Sequence, residues 1–74
     1  MIQDANEAES LFEDGAVTLA GATAEFGIGR SELYDEMRTG RLEFVQRGRR
    51  RLIPRKALQR ILAEDMAATE EQRP

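Results

Sequence analysis

The sequence predicts a mainly α-helical fold with one small β-hairpin, in the order helix, helix, hairpin, helix. Three observations predict it. Apolar residues recur at helical spacing in three stretches: Leu19/Ala22/Phe26, Leu33/Met37 and Leu58/Ile61/Leu62/Met66. Glycines at 27, 29 and 40 separate and close the first two. Before the third, two short β-like runs flank the glycine-bearing turn Gln46-Arg47-Gly48-Arg49-Arg50.

Each element has its own local reasons. Asp4 to Phe12 reads as a short helix capped by Asp4, with Glu7 three residues on; a frayed acidic tail fits the same residues. Thr18 caps the next helix, which runs to Phe26 and carries Gly21, a residue type that marks close helix–helix approach. Gly27 supplies the left-handed residue after it, and Ile28 plugs the Gly27-Ile28-Gly29 corner. The second helix spans Arg30 to Thr39 and is closed by Gly40. Leu42–Val45 and Arg51–Ile53 are the strands, although Arg47 and Arg51 fall on the parity of Val45 and Ile53. Pro54 suits the start of the last helix, Arg55 to about Ala67. The expected core is Leu19, Phe26, Leu33, Met37, Leu42, Phe44, Ile53, Leu58, Ile61 and Leu62. Two helices joined by a short glycine turn and followed by a hairpin make a winged helix-turn-helix. The division expected is an acidic segment over 1–15, the folded domain over 16–67 and a disordered tail over 68–74.

Composition narrows the function. Seventy-four residues suit one domain with a small core. There is no cysteine and no histidine, so a disulfide, a Cys/His metal site, a thiol nucleophile and a Ser-His triad are all excluded. The inventory argues against an enzyme, and neither a metal nor a cofactor is expected. No apolar run approaches the roughly 20 residues of a membrane span, and the acidic start lacks the pattern of a signal peptide. A cytoplasmic protein that does not engage membranes is expected.

The net charge of −3 conceals a segregation. Residues 1–29 carry six acids and no base. Residues 30–60 carry ten bases against four acids, and nine of the ten are arginine. Residues 61–74 return to four acids and one base. A solubilising surface would use more lysine, whereas arginine suits bidentate contact with phosphate and guanine.

The densest signal is Gln46 to Lys56, with five arginines and one lysine in eleven residues. Arg47, Arg49, Arg50 and Arg51 crowd a hairpin where one or two charges would suffice to protect its edge. Arg55 and Lys56 open a helix, where positive charge opposes the macrodipole; a phosphate site explains that placement, and pairing of Arg55 with an acid such as Glu43 is the alternative. In the second helix, Arg30, Ser31 and Tyr34 lie near the N-terminus that reaches bases in this motif, and Arg38 lies two turns on. For Arg30 and Tyr34, base reading and simple covering of the core fit equally. Asp35 and Glu36 are repelled by phosphate and fit pairing with Arg38, Arg41 or a partner protein.

The stretch Val17 to Leu62, about three-fifths of the chain, resembles the excisionase/MerR-like winged-helix family. The matching pieces are Val17-Thr18-Leu19, Ile28-Gly29-Arg30-Ser31, Leu33-Tyr34, Arg38-Thr39-Gly40-Arg41-Leu42, Gly48-Arg49-Arg50, Ile53-Pro54-Arg55 and Ala57-Leu58. The resemblance implies that the second helix enters a major groove while the wing lies against the adjacent minor groove. It places Arg30, Ser31, Tyr34 and Arg38 at recognition-helix positions and Arg47, Arg49 and Arg50 on the wing. Three positions depart from the pattern: Gly29 in place of a serine cap, Asp35 and Glu36 in place of basic and apolar residues, and Arg47 and Arg51 in place of apolar wing residues.

The expected function is sequence-specific binding of double-stranded DNA, as an excisionase-like directionality factor that bends attachment-site DNA and assists an integrase. The shortness of the chain favours that role, because a ligand-sensing regulator would need an effector domain. Cooperative self-association on adjacent repeats is part of it. A small transcriptional regulator on the same fold is the alternative, and a protein-interaction adaptor or anti-repressor the second. Neutralising about five phosphates gives an expected log–log salt slope near −4.5.

Overall fold

A computed structural model describes residues 5–71 of the chain. These residues form four helices and a small three-stranded antiparallel sheet: α1 (Ala5–Leu11), β1 (Ala16–Val17), α2 (Leu19–Phe26), α3 (Arg30–Arg38), β2 (Val45–Arg47), β3 (Arg50–Pro54) and α4 (Arg55–Glu71). The fold is mostly helical, as expected. Asp4, the expected cap of α1, lies outside the described residues, as do residues 72–74.

Local chemistry accounts for the boundaries of α2 and α3. Thr18 caps α2 by accepting from the Gly21 N–H at 3.1 Å. Gly27 follows at φ 71°, its N–H bonded to the Thr23 carbonyl. Ile28 is buried in the corner between the two helices. Gly29 precedes α3 and has no side chain to cap it; instead Glu32 reaches back to accept from the Gly29 N–H at 3.4 Å. This is one half of a capping box, and it stands in for the missing serine.

The core is Val17, Ala22, Ile28, Leu33, Met37, Leu42, Ile53, Ala57, Leu58 and Ile61, with Leu19 and Phe26 packed at its margin. Two expected members fall outside it: Phe44 and Leu62 are exposed. Leu62 lies one residue beyond the last buried position of α4, where the helix leaves the body, and every described residue after it is exposed. The apolar stripe of α4 therefore outruns the surface it packs on. The helix also continues past Ala67 to Glu71, so 68–71 are helical where a disordered tail was expected.

β3 is the central strand of the sheet, in the order β1-β3-β2. β1 was not expected: two residues pair Ala16 with Pro54 and Val17 with Ile53. Val17 explains Gly21, because a Cβ at 21 would stand 3.2 Å from the Val17 Cβ. The close approach expected there is to the preceding strand, not to another helix. On the other edge, Val45 pairs with Leu52, Gln46 with Arg51 and Arg47 with Arg50. β2 is thus Val45–Arg47 rather than Leu42–Val45, since Leu42 is 1 % exposed and belongs to the core as a loop residue. Gly48 sits at φ 61° as the first of the two turn residues, the backbone a type II′ hairpin requires.

This register resolves the imperfect alternation. Cross-strand partners share a face, so Arg47 lies with Arg50, Val45 and Leu52, while Arg51 lies with Gln46 and the buried Ile53. All of β2 is exposed, so Arg47 breaks no rule. Arg51 is the one cation on the inner face.

Among the described residues, no helix is long and apolar enough to cross a membrane.

Candidate nucleic-acid interface

The arginine-rich segment divides into cations that face the chain's own carboxylates and cations that face solvent. Arg55 donates to Glu25 through Nε at 2.8 Å and to the Asp14 carbonyl through Nη1 at 3.1 Å. Lys56 Nζ donates to Glu13 at 2.9 Å. These hydrogen bonds raise the pKa of both cations and lower those of Glu25 and Glu13. The expected phosphate clamp at the start of α4 is therefore paired with the chain's own carboxylates. Its charges hold the acidic segment around α1 and β1 against α4, and the Arg55 N–H is itself bonded to the Gly15 carbonyl at 3.0 Å. Arg55 pairs with an acid, but with Glu25 rather than Glu43.

Glu43 belongs to Arg60, and Arg41 is shared among Glu36, Glu64 and Asp65. The hydrogen bond to Asp65 is the largest influence raising the Arg41 pKa. The pairing of Glu36 with Arg41 is among those the sequence suggested, whereas the reach of Arg41 to Glu64 and Asp65 and of Arg60 to Glu43, over 17–24 positions, was not. Glu36 is thereby turned toward α4. Asp35 pairs with Arg38 at 3.2 Å, both side chains well exposed. The two acids that looked repulsive to phosphate are thus each matched by an arginine. Arg38, an expected phosphate contact, spends its charge locally on Asp35.

Five described arginines remain, and one of them, Arg51, donates to Gln46. Among the described residues, Arg30, Arg47, Arg49 and Arg50 have no ion-pair or hydrogen-bond partner, and all four are exposed. Their positions are costly without one. Arg47 and Arg50 stand directly opposite each other across the β2–β3 ladder, a like-charge pairing that destabilises a hairpin. Arg30 is the first residue of α3, at the positive end of its dipole.

Arg30, Arg49, Arg50 and Arg51 converge on one open depression, whose remaining wall is Thr18, Leu19 and Ala20. Leu19 and Ala20 begin α2, where the first N–H groups have no acceptor within the helix. The depression therefore combines guanidinium groups with a helix N-terminus, a chemistry suited to an anionic oxygen such as a phosphodiester. The contribution of Leu19 and Ala20 was missed in the sequence, although the Thr18 cap that positions them was legible there.

Ser31 and Tyr34 are exposed on α3. Tyr34 is 45 % exposed, so it does not simply cover the core. Arg51, expected among the contacts, has its Cζ 5.2 Å from the Tyr34 ring centroid and 5.2 Å from that of Phe44. Its Nε donates to Gln46 Oε1 at 3.4 Å. Arg51 is therefore already engaged by the protein. Among the described residues there is no cluster of His, Cys, Asp and Glu suited to a metal ion.

Comparison with protein-family models, with curated proteins and with solved structures finds no match to this chain.

Proposed function

We propose that this chain is a non-enzymatic double-stranded DNA-binding protein, with α2 and α3 acting as a helix-turn-helix and the β2–β3 hairpin as its wing. The observation that carries the reading is the set of four unpartnered arginines, Arg30, Arg47, Arg49 and Arg50, in a chain whose other described cations are paired or stacked. Opposed like charges on an exposed ladder weaken a free hairpin but suit one laid along a polyanion. α3 offers Ser31 and Tyr34 for base edges in a major groove, and the depression between hairpin and α2 takes a backbone phosphate.

More particularly, the chain acts in the manner of the excisionase-like factors that Val17–Leu62 resembles, bending its site and directing an integrase. The support for that narrower role is the sequence resemblance.

Selection of bound sites from random duplexes, followed by affinity measurement over a range of salt, tests the reading. Four phosphate-neutralising arginines predict a log–log slope of about −3.6, shallower than the value near −4.5 for about five phosphates. Replacing Arg49 and Arg50 together by alanine brings it to about −1.8. Absence of duplex binding, or an affinity indifferent to salt, overturns the proposal. Gel mobility of circularly permuted site fragments tests bending, and a straight complex removes the excisionase-like role.

A further inference from the structure

We infer that Arg51 is a positioning residue that clasps the hairpin to α3 and so sets the reach between the hairpin tip and the outward face of that helix. The proposal rests on the reading of this surface as a nucleic-acid interface, but the clasp itself is a property of the free protein.

Little else holds the hairpin. β2 has no buried residue, and of the strand leaving the turn only Ile53 and Pro54, at its far end, are fully buried. A two-stranded ribbon anchored only at its base has little to hold its angle. Arg51 lies midway along β3, on the inner face, and reaches the helix. Its guanidinium sits 5.2 Å from the ring of Tyr34 on α3 and equally far from that of Phe44, just before β2. Both distances are within the range of a cation–π contact, which is about 6 Å. The planar guanidinium can stack on a ring face, a geometry that an ammonium lacks.

The clasp continues outward to the turn. Arg51 Nε donates to Gln46 Oε1 at 3.4 Å, and Gln46 Nε2 donates to the Gly48 carbonyl at 3.1 Å. A chain of contacts thus runs from Tyr34 through Arg51 and Gln46 to the turn that carries Arg49. Arg51 also lines both the cation-rich depression and the neighbouring pocket of Tyr34, Met37, Arg38 and Phe44. It is the residue common to the two. An apolar residue at 51 would continue the core face but carry no link to Gln46 and the turn.

The test has one arm without DNA. The chain has no cysteine, so nitroxide labels at Ser31→Cys and Arg47→Cys report the distance from α3 to the hairpin. A narrow distribution is expected with Arg51 present. Arg51→Met, which keeps an apolar stem, and Arg51→Lys, which keeps the charge, are each expected to broaden it at least about twofold. A width unchanged in both variants overturns the clasp, whatever the protein does with DNA. The second arm is a double-mutant cycle on duplex affinity. Arg51→Met is expected to weaken binding about tenfold with Arg49 and Arg50 present, and less than about twofold when both are alanine. An equal loss in the two backgrounds means that Arg51 touches DNA directly and overturns the positioning role. Failure of the DNA reading shows instead as no duplex binding by the parent chain, with the distance result standing.

Discussion

Arg60 and Glu43 meet in a two-pronged ion pair at the root of the hairpin, with Nη1 2.8 Å from Oε2 and Nη2 2.7 Å from Oε1. Nη2 also donates to the Arg41 carbonyl. The pair ties the segment between α3 and β2 to the middle of α4, and the hydrogen bond from Arg60 holds the Glu43 carboxyl below the ordinary range. Both side chains are about a third exposed, so water screens the interaction. Glu43→Gln is expected to cost about 1 kcal/mol in urea unfolding. Arg60→Met costs more, because it also strands the Arg41 carbonyl. Equal losses would show that the bond to the Arg41 carbonyl adds nothing, and no loss in either variant would show that the pair does not brace the loop.

Arg55 and Lys56 provide the contrasting case. Both are basic and both lie in the densest cationic run, yet their charge is directed at Glu25 and Glu13. Arg55→Gln and Lys56→Gln are expected to lower the unfolding midpoint while leaving duplex affinity within about twofold and the salt slope unchanged. A slope that falls by about one per substitution would place them among the proposed phosphate contacts.

The response to pH follows from the same pairs. Glu13, Glu25 and Glu43 have pKa values lowered in the folded chain by their hydrogen bonds to Lys56, Arg55 and Arg60. Their contribution to stability is complete above the ordinary glutamate pKa of about 4.3 and disappears as pH falls through the lower folded values. The Lys56 pKa is raised by its hydrogen bond to Glu13, so its contribution is complete below about 10.4 and disappears as pH rises through the folded value. With no histidine or cysteine, no side chain has an ordinary pKa between about 5 and 8. Thermal unfolding should therefore be level from about pH 6 to 8 and fall on the acid side first. A titration step near pH 6.5 would contradict this account.

Thr23 offers a gain rather than a loss. Its hydroxyl oxygen is buried in α2 with no hydrogen-bond partner. Thr23→Val keeps the shape and the β-branching and removes the unsatisfied group. Differential scanning calorimetry should show a higher midpoint, equivalent to about 1 kcal/mol. A destabilised variant would mean that the hydroxyl has a partner in solution.

Most of the helical framework was legible because its signals are local. Thr18, Gly27 and Gly40 mark ends that depend on a few neighbouring residues, and the periodicity of Leu33/Met37 and Leu58/Ile61 records a buried face directly. The misses have a common cause. β1 consists of two residues whose role exists only because Pro54 and Ile53 come alongside. Phe44 and Leu62 are apolar, but whether such residues are buried depends on where the neighbouring elements stop. At the candidate site, composition located the cationic run correctly and could not say which cations were already taken. Arg55 finds Glu25 across thirty positions of sequence and Lys56 finds Glu13 across forty-three, separations at which sequence spacing carries no information. Arg51 was visible as an anomaly of parity, and the aromatic pair that accommodates it was not.

β3 passes into α4 with no residue between them, Pro54 ending one and Arg55 beginning the other. Such a junction has no slack. One inserted residue there would turn the helix by about 100° and carry Ala57, Leu58 and Ile61 away from the neighbours they fill against. Lengthening at Gly48-Arg49 would move only the tip. A change of length at the exposed turn that carries Arg49 therefore leaves the packed interior as it is, whereas one at the β3–α4 junction does not.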